Sequence, residues 1–150
     1  MMIGEDKRIF VDTNILIYSF FDKDVYYKLS KQKINTLFRK KYHFYISRQV
    51  IREFLVFVTR YNNENTVLKH TDFMNIVYRF LNQFVVLDEI SDVTKILFEL
   101  IENHKLSGKK NHDANIVATM KANNISKLLT HNVKDFERYT DVIEILPLEG

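Results

Sequence analysis

The chain has 150 residues, 46% hydrophobic and 27% charged, which is a globular balance at a length that suits one domain with a substantial core. It has no cysteine, which excludes disulfides and thiolate metal sites, and three glycines (Gly4, Gly108, Gly150), too few for the glycine-rich phosphate cradles of dinucleotide folds and P-loops. The net charge of +3 permits an anionic partner without demanding one; no apolar run nears the length of a spanning helix and Met1 to Arg8 lacks a secretory apolar core, so a cytoplasmic protein with no membrane segment is expected.

Ile9-Phe10-Val11 runs straight into Asp12-Thr13-Asn14, after which Ile15, Leu16, Ile17 and Tyr18 resume an apolar pattern. This predicts a short strand covered on both faces, as in a parallel sheet, that stops at Asp12 and hands over to a helix. A short helix over Asn14 to Phe21 is expected next, then a longer one over Asp24 to Lys40 with Leu29, Ile34, Leu37 and Phe38 at helical spacing. The basic run Arg39-Lys40-Lys41 at its end suits the helix dipole and reads as a solvated terminus more readily than as a nucleic-acid contact.

Phe44-Tyr45-Ile46 is a second strand, and Ser47 caps a helix over Arg48 to Tyr61. In that helix Val50, Ile51, Phe54, Leu55, Phe57 and Val58 form one broad stripe with Glu53 at its margin. Asn62-Asn63-Glu64-Asn65 reads as a loop, and Thr66 to Asn82 as an amphipathic helix with Phe73, Ile76, Val77, Phe80 and Leu81 on one side. Phe84 to Leu87 makes a third strand and Ser91 to Lys105 a helix, which Ser107-Gly108-Lys109-Lys110-Asn111 breaks. His112 to Asn123 is helical with Ile116, Val117 and Met120 buried, and Lys127 to Thr130 is the fourth strand. A short helix around Lys134 to Tyr139 and a last strand, Ile143 to Leu146, complete the pattern. There is no internal repeat or linker, so residues 1–150 form one domain. Strands alternating with helices predict an α/β fold, a three-layer α/β/α sandwich around a central parallel sheet.

In such a fold the carboxyl ends of the strands and the amino ends of the connecting helices share one edge. Asp12 ends the first strand, Glu53 lies early in the helix after the second, Asp113 opens the helix before the fourth, and Asn132 and Asp135 follow that strand. Four acids from separated segments therefore converge on one cleft, with Asn14, Thr130 and Asn132 as supporting residues. Each acid also has a plainer role open to it. Asp12 suffices as a helix cap, Glu53 as a solvated residue, Asp113 as a complement to the helix dipole and Asp135 as a turn residue. Glu53 has Gln49 and Phe57 four residues away and so lacks an ion-pair partner at that spacing. His112 and His131 lie near the cleft, but neither has the spacing of a zinc pair, and both read as ordinary core or surface histidines.

Clustered carboxylates repel unless something positive sits among them. An all-oxygen donor set suits Mg²⁺ or Mn²⁺, hard ions that keep several waters and bind phosphate oxygens, with Asp12 and Asp113 as the metal ligands. Such a site activates water for attack on a phosphodiester, and Lys109 and Lys110, just before Asp113, are placed to meet flanking phosphates.

With these residues assembled, the chain resembles the PIN-domain ribonuclease family, particularly its VapC-type toxins. The matching stretches are Phe10-Val11-Asp12-Thr13-Asn14-Ile15-Leu16, Ile51-Arg52-Glu53-Phe54, His112-Asp113-Ala114-Asn115-Ile116-Val117-Ala118 and Leu129-Thr130-His131-Asn132-Val133-Lys134-Asp135-Phe136. The resemblance implies Mg²⁺- or Mn²⁺-dependent hydrolysis of RNA, leaving a 5′-phosphate and a 3′-hydroxyl. It also implies a homodimer and inhibition by a small antitoxin encoded nearby. Asp12, Glu53 and Asp113 fall on the family's three most regular acids; Asn132 stands where some relatives have Asp, which leaves Asp135 as the fourth catalytic candidate. Two other readings are a non-catalytic RNA-binding module of this fold and a metal-dependent phosphohydrolase of small substrates. Intact acids argue against the first, and Asn14 in place of an Asp two residues after Asp12 argues against an aspartyl-phosphate route in the second.

Overall fold

The structure, a computed structural model, describes residues 4–65 and 68–149. Five parallel strands form one sheet in the order β3-β2-β1-β4-β5, with β1 Arg8–Val11, β2 His43–Ser47, β3 Val85–Leu87, β4 Lys127–Thr130 and β5 Glu144–Pro147. Between them run α1 Thr13–Phe20, α2 Tyr27–Arg39, α3 Arg48–Asn65, α4 His70–Leu81, α5 Ser91–His104, α6 Lys110–Ala122 and α7 Val133–Phe136, the last followed by a 3₁₀ turn over Glu137–Tyr139. The three-layer parallel architecture expected from the alternation is present.

The chain winds outward from β1 through β2 to β3, then returns by α5 and α6 to β4 on the opposite side of β1. Parallel crossovers are right-handed, so reversing the direction of winding moves the helices to the other face of the sheet. On the first face Phe20, Phe54, Phe73 and Phe80 from α1, α3 and α4 pack as one aromatic cluster, Phe20 lying 5.2–5.9 Å from the other three. On the second face α5 packs along α6, and His104 meets Tyr139 edge-on at 5.0 Å. Between these layers Ile9, Phe10 and Val11 are completely buried, which is why the central strand is apolar on both faces. The reversal falls between β1 and β4, the switch point where open parallel sheets hold their ligands.

Several boundaries differ from the expectations. Asn62 to Asn65 is the last turn of α3 and not a loop. The run of Asn suggested a turn, but Asn62 is buried and its amide grips the following segment, donating to Leu68 O at 3.2 Å and accepting from Leu68 N at 3.1 Å. The helix expected from Thr66 begins at His70, and Thr66 lies outside the described residues. The long second helix begins at Tyr27, because Asp24 accepts from Tyr26 N at 2.8 Å in a turn. Lys110 is already helical, and the last strand is shifted by one residue. Of the apolar positions placed on helix stripes, Phe38 (68%), Phe57 (45%) and Ile76 (42%) remain exposed, since amphipathic spacing does not say how wide a stripe its neighbours cover.

Candidate active site

Asp12 occupies two roles at once. As the N-cap of α1 it accepts from Thr13 N through Oδ1 at 2.8 Å. Its Oδ2 accepts from the Thr130 hydroxyl at 2.7 Å and from Asn14 Nδ2 at 3.2 Å. The backbone fixes this placement, because Asp12 N donates to Leu129 O at 3.0 Å and so extends the β1–β4 ladder one residue past the strand. Asn14 Oδ1 in turn accepts from His131 N at 3.3 Å, and the Thr130 hydroxyl accepts from Asn132 N at 3.0 Å. Asn14 and Thr130 thus support Asp12 directly, tying the first strand's exit to the fourth's.

Glu53 stands one and a half turns into α3 and points to the same edge. Its Oε2 accepts from the Thr13 hydroxyl at 2.9 Å and its Oε1 from Gln49 Nε2 at 2.8 Å. Gln49 is the residue that sequence reasoning passed over. Its second amide hydrogen goes to His112 O at 2.9 Å, and its Oε1 accepts from Asn115 Nδ2 at 2.8 Å. One buried amide therefore uses both donors and its acceptor to lock the start of α3, from one face of the sheet, to the start of α6, from the other. No periodicity in the chain signals this; the only hint is a polar residue within an apolar stripe.

Asp113 lies in the first turn of α6, half-buried. Burial pushes its carboxyl up to about 6, followed by repulsion from Asp135, then Asp12, then Glu53. Asp12 is likewise pushed up to about 6, chiefly by burial and also by Glu53, against the opposing hydrogen bonds from Thr130, Thr13 and Asn14. Asp113 is thus the acid on which the other three act, Asp135 most strongly.

Two cavities open beside the acids. One, about 310 Å³, is lined by Gln49, Arg52, Glu53, His112 and Asp113; the other, about 380 Å³, by His131, Asn132, Val133, Lys134 and Asp135. Phe136 is fully buried and anchors the short helix that carries Asp135. Asn132 sits at the N-cap position of α7 but makes no capping bond with its side chain, which is left exposed beside the second cavity. Lys109 and Lys110 are exposed at the start of α6 and line neither cavity, whereas Arg52 and Lys134 do.

Among the described residues no three histidine or acid side chains converge tightly enough to make a metal cage by themselves. The donor set still fits Mg²⁺ or Mn²⁺. Asp12 and Asp113 offer only carboxylate oxygens, both are raised by burial with acid neighbours around them, and Mg²⁺ commonly takes one or two carboxylates while keeping its waters.

The PIN domain family model matches residues 9–142. Over 152 aligned residues, 96% of each chain, the sequence is 31% identical to Ribonuclease VapC2 of Methanocaldococcus jannaschii. Among solved structures the fold resembles that of VapBC2 from Rickettsia felis bound to a promoter DNA fragment, with a TM-score of 0.69 and 23% identity over 92% of this chain and 98% of that one. It also resembles Mycobacterium tuberculosis VapC20, a Sarcin-Ricin loop cleaving toxin, with a TM-score of 0.59 and 20% identity over 80% and 86% of the two chains.

Proposed function

The chain belongs to the PIN-domain family, and from that membership we propose that it is a metal-dependent endoribonuclease acting as the toxin of a toxin–antitoxin pair. The observation that carries this reading is the buried Asp12 at the switch point, held by Thr13, Asn14 and Thr130 and joined through Thr13 to Glu53, where burial and then neighbouring carboxylates raise both Asp12 and Asp113, an arrangement that a bound cation would relieve. Asp12 and Asp113 would hold Mg²⁺ or Mn²⁺, which supplies charge neutralisation and a more acidic water. Glu53, fixed by Thr13 and Gln49, keeps a free lone pair on each oxygen and orients the attacking water through it. Asp135 assists across Asp113. Arg52 and Lys134, one at each cavity, receive the flanking phosphates, a role the sequence alone assigned to Lys109 and Lys110. The water oxygen bonds to phosphorus in line with the departing 3′-oxygen, which takes up a proton, leaving a 5′-phosphate and a 3′-hydroxyl.

Partners follow from the relatives. The Rickettsia felis neighbour is a VapBC complex, and an antitoxin that inhibits this chain would present an arginine, whose planar fork matches the carboxylates. A homodimer is the assembly the family resemblance implies. The test is cleavage of single-stranded RNA by the purified chain with Mg²⁺ or Mn²⁺ and with chelator. Metal-dependent cleavage that disappears in Asp12→Asn supports the reading, and equal cleavage in chelator or in that variant defeats it.

A further inference from the structure

His131 is not used by the chemistry above, yet it is placed two hydrogen bonds from Asp12, through its own N–H to Asn14 and Asn14's amide to Asp12. Its ring is set against two tyrosines. The Tyr26 ring lies 4.4 Å away at 60° and the Tyr18 ring 5.4 Å away at 73°, while the two tyrosines sit 4.9 Å apart. The Tyr18 hydroxyl lies 2.9 Å from His131 Nδ1, which fixes the imidazole's rotation. A cluster built for packing alone would be sealed, as Phe10 and Phe54 are; here all three rings remain partly exposed. His131 also lines the 380 Å³ cavity, together with Asn132, Lys134 and Asp135. Asn132 brings an exposed amide with a donor and an acceptor, and Lys134 an exposed cation.

We propose that this cavity is a nucleobase subsite, in which the base of the nucleotide next to the scissile phosphate stacks on His131, Asn132 meets the edge of that base, and Lys134 meets the following phosphate. The inference rests on the ribonuclease reading and assigns to it the residues that hold one base, which enters such a pocket from an unpaired strand. An aromatic platform with a cation alongside is the usual means of holding single-stranded nucleic acid, and every base has a face to stack. The 310 Å³ cavity, with Arg52 and His112, then receives the strand on the other side of the acids.

The test uses a single-stranded oligoribonucleotide with one cleavage site, and a matched set in which each nucleotide flanking the cut is made abasic in turn. His131→Ala raises KM roughly tenfold with kcat changed by less than about twofold, and His131→Phe, which keeps a stacking ring, recovers most of the loss. Removing the base from one flanking nucleotide costs the wild type a similar factor and costs His131→Ala nothing more. Unchanged KM in His131→Ala, or losses from variant and abasic substrate that simply multiply, overturn the subsite while leaving ribonuclease activity intact. Should His131→Ala fold poorly, the wild type decides alone: equal KM for every abasic substrate overturns it. A wild type that cleaves no RNA defeats the ribonuclease reading itself and this inference with it.

Discussion

At their amino ends β1 and β4 carry Arg8 and Lys127, and the charges there are paired. Arg8 donates to Asp6 through Nε at 3.0 Å and Nη2 at 3.1 Å, while Lys127 Nζ donates to Glu5 at 3.0 Å, to Asp6 O at 2.9 Å and to the Tyr42 hydroxyl at 3.2 Å. Lys127, then Lys7 and Tyr42, draw the Glu5 carboxyl down to about 2. At their carboxyl ends the same two strands carry Asp12 and Thr130, and none of the four acids gathered there joins a salt bridge among the described residues. Four residues of strand separate a closed ion network from an open acid cluster. The acids at the amino edge are neutralised by cations of the chain itself, whereas those at the carboxyl edge, on the reading proposed above, take theirs from outside. One edge should therefore answer to stability and the other to chemistry.

The largest expected effect is at the open edge. Asp12→Asn, Glu53→Gln and Asp113→Asn each remove several kcal/mol of transition-state stabilisation, roughly a thousandfold in cleavage rate at about 1.4 kcal/mol per tenfold, with an unchanged circular dichroism spectrum. Full activity in any one removes that residue from the site. Gln49→Leu is the next step down. It touches no reacting atom but frees Glu53 and the start of α6, so activity or apparent Mg²⁺ affinity should drop by about 10- to 100-fold. In a Glu53→Gln background the same change should add little, and independent, multiplying losses would show that Gln49 acts elsewhere.

The closed edge should respond in the opposite way. Lys127→Met deletes three donated hydrogen bonds at a mostly buried ammonium, a loss of roughly 1–3 kcal/mol in stability. Cleavage measured well below the melting temperature should remain at the wild-type rate. A variant that melts as the wild type does but cleaves poorly would mean the two edges are coupled through the strands.

What the sequence disclosed about these edges follows the range of the interactions involved. Asp12 was legible because a buried strand running into Asp-Thr-Asn is a local pattern, and Glu53, Asp113 and Asp135 followed once the topology put their segments on one edge. Gln49 was not, because two of its partners are in a helix some sixty residues on and a single polar residue beside an apolar stripe is too weak a local signal. His131 reads from the sequence as an ordinary core or surface histidine, because its partners Tyr18 and Tyr26 come from the far end of the chain, more than a hundred residues earlier. Asn62 misled for the same reason: a turn-forming residue by local chemistry, it became the last-turn anchor of a helix through contacts with Leu68. The paired edge escaped notice altogether, since Glu5, Asp6 and Lys127 come together only when β4 lies beside β1.

The smallest expected effect separates the edges by pH. Asp12 and Asp113, both raised to about 6 from 3.8, bind protons more tightly folded than unfolded, so without metal the folded state loses stability as pH rises from about 4 to 6. Glu5, lowered to about 2 from 4.5, works in the opposite sense: its contribution is complete above about 4.5 and fades as pH falls toward 2. The two windows meet at about pH 4 to 4.5. In chelator the wild type should therefore melt higher at pH 5 than at pH 7.5, by roughly 2–4 °C for each kcal/mol recovered when these buried, mutually repelling carboxylates take up protons. Mg²⁺ should raise the pH 7.5 value most, because binding to the ionised pair draws on the same repulsion. Asp113→Asn should melt no lower than wild type in chelator and show a shallower slope between pH 5 and 7.5. If Asp113→Asn is clearly less stable at pH 7.5 in chelator, its carboxylate serves the dipole of α6 more than it repels its neighbours, and the contrast between the two edges fails at that residue.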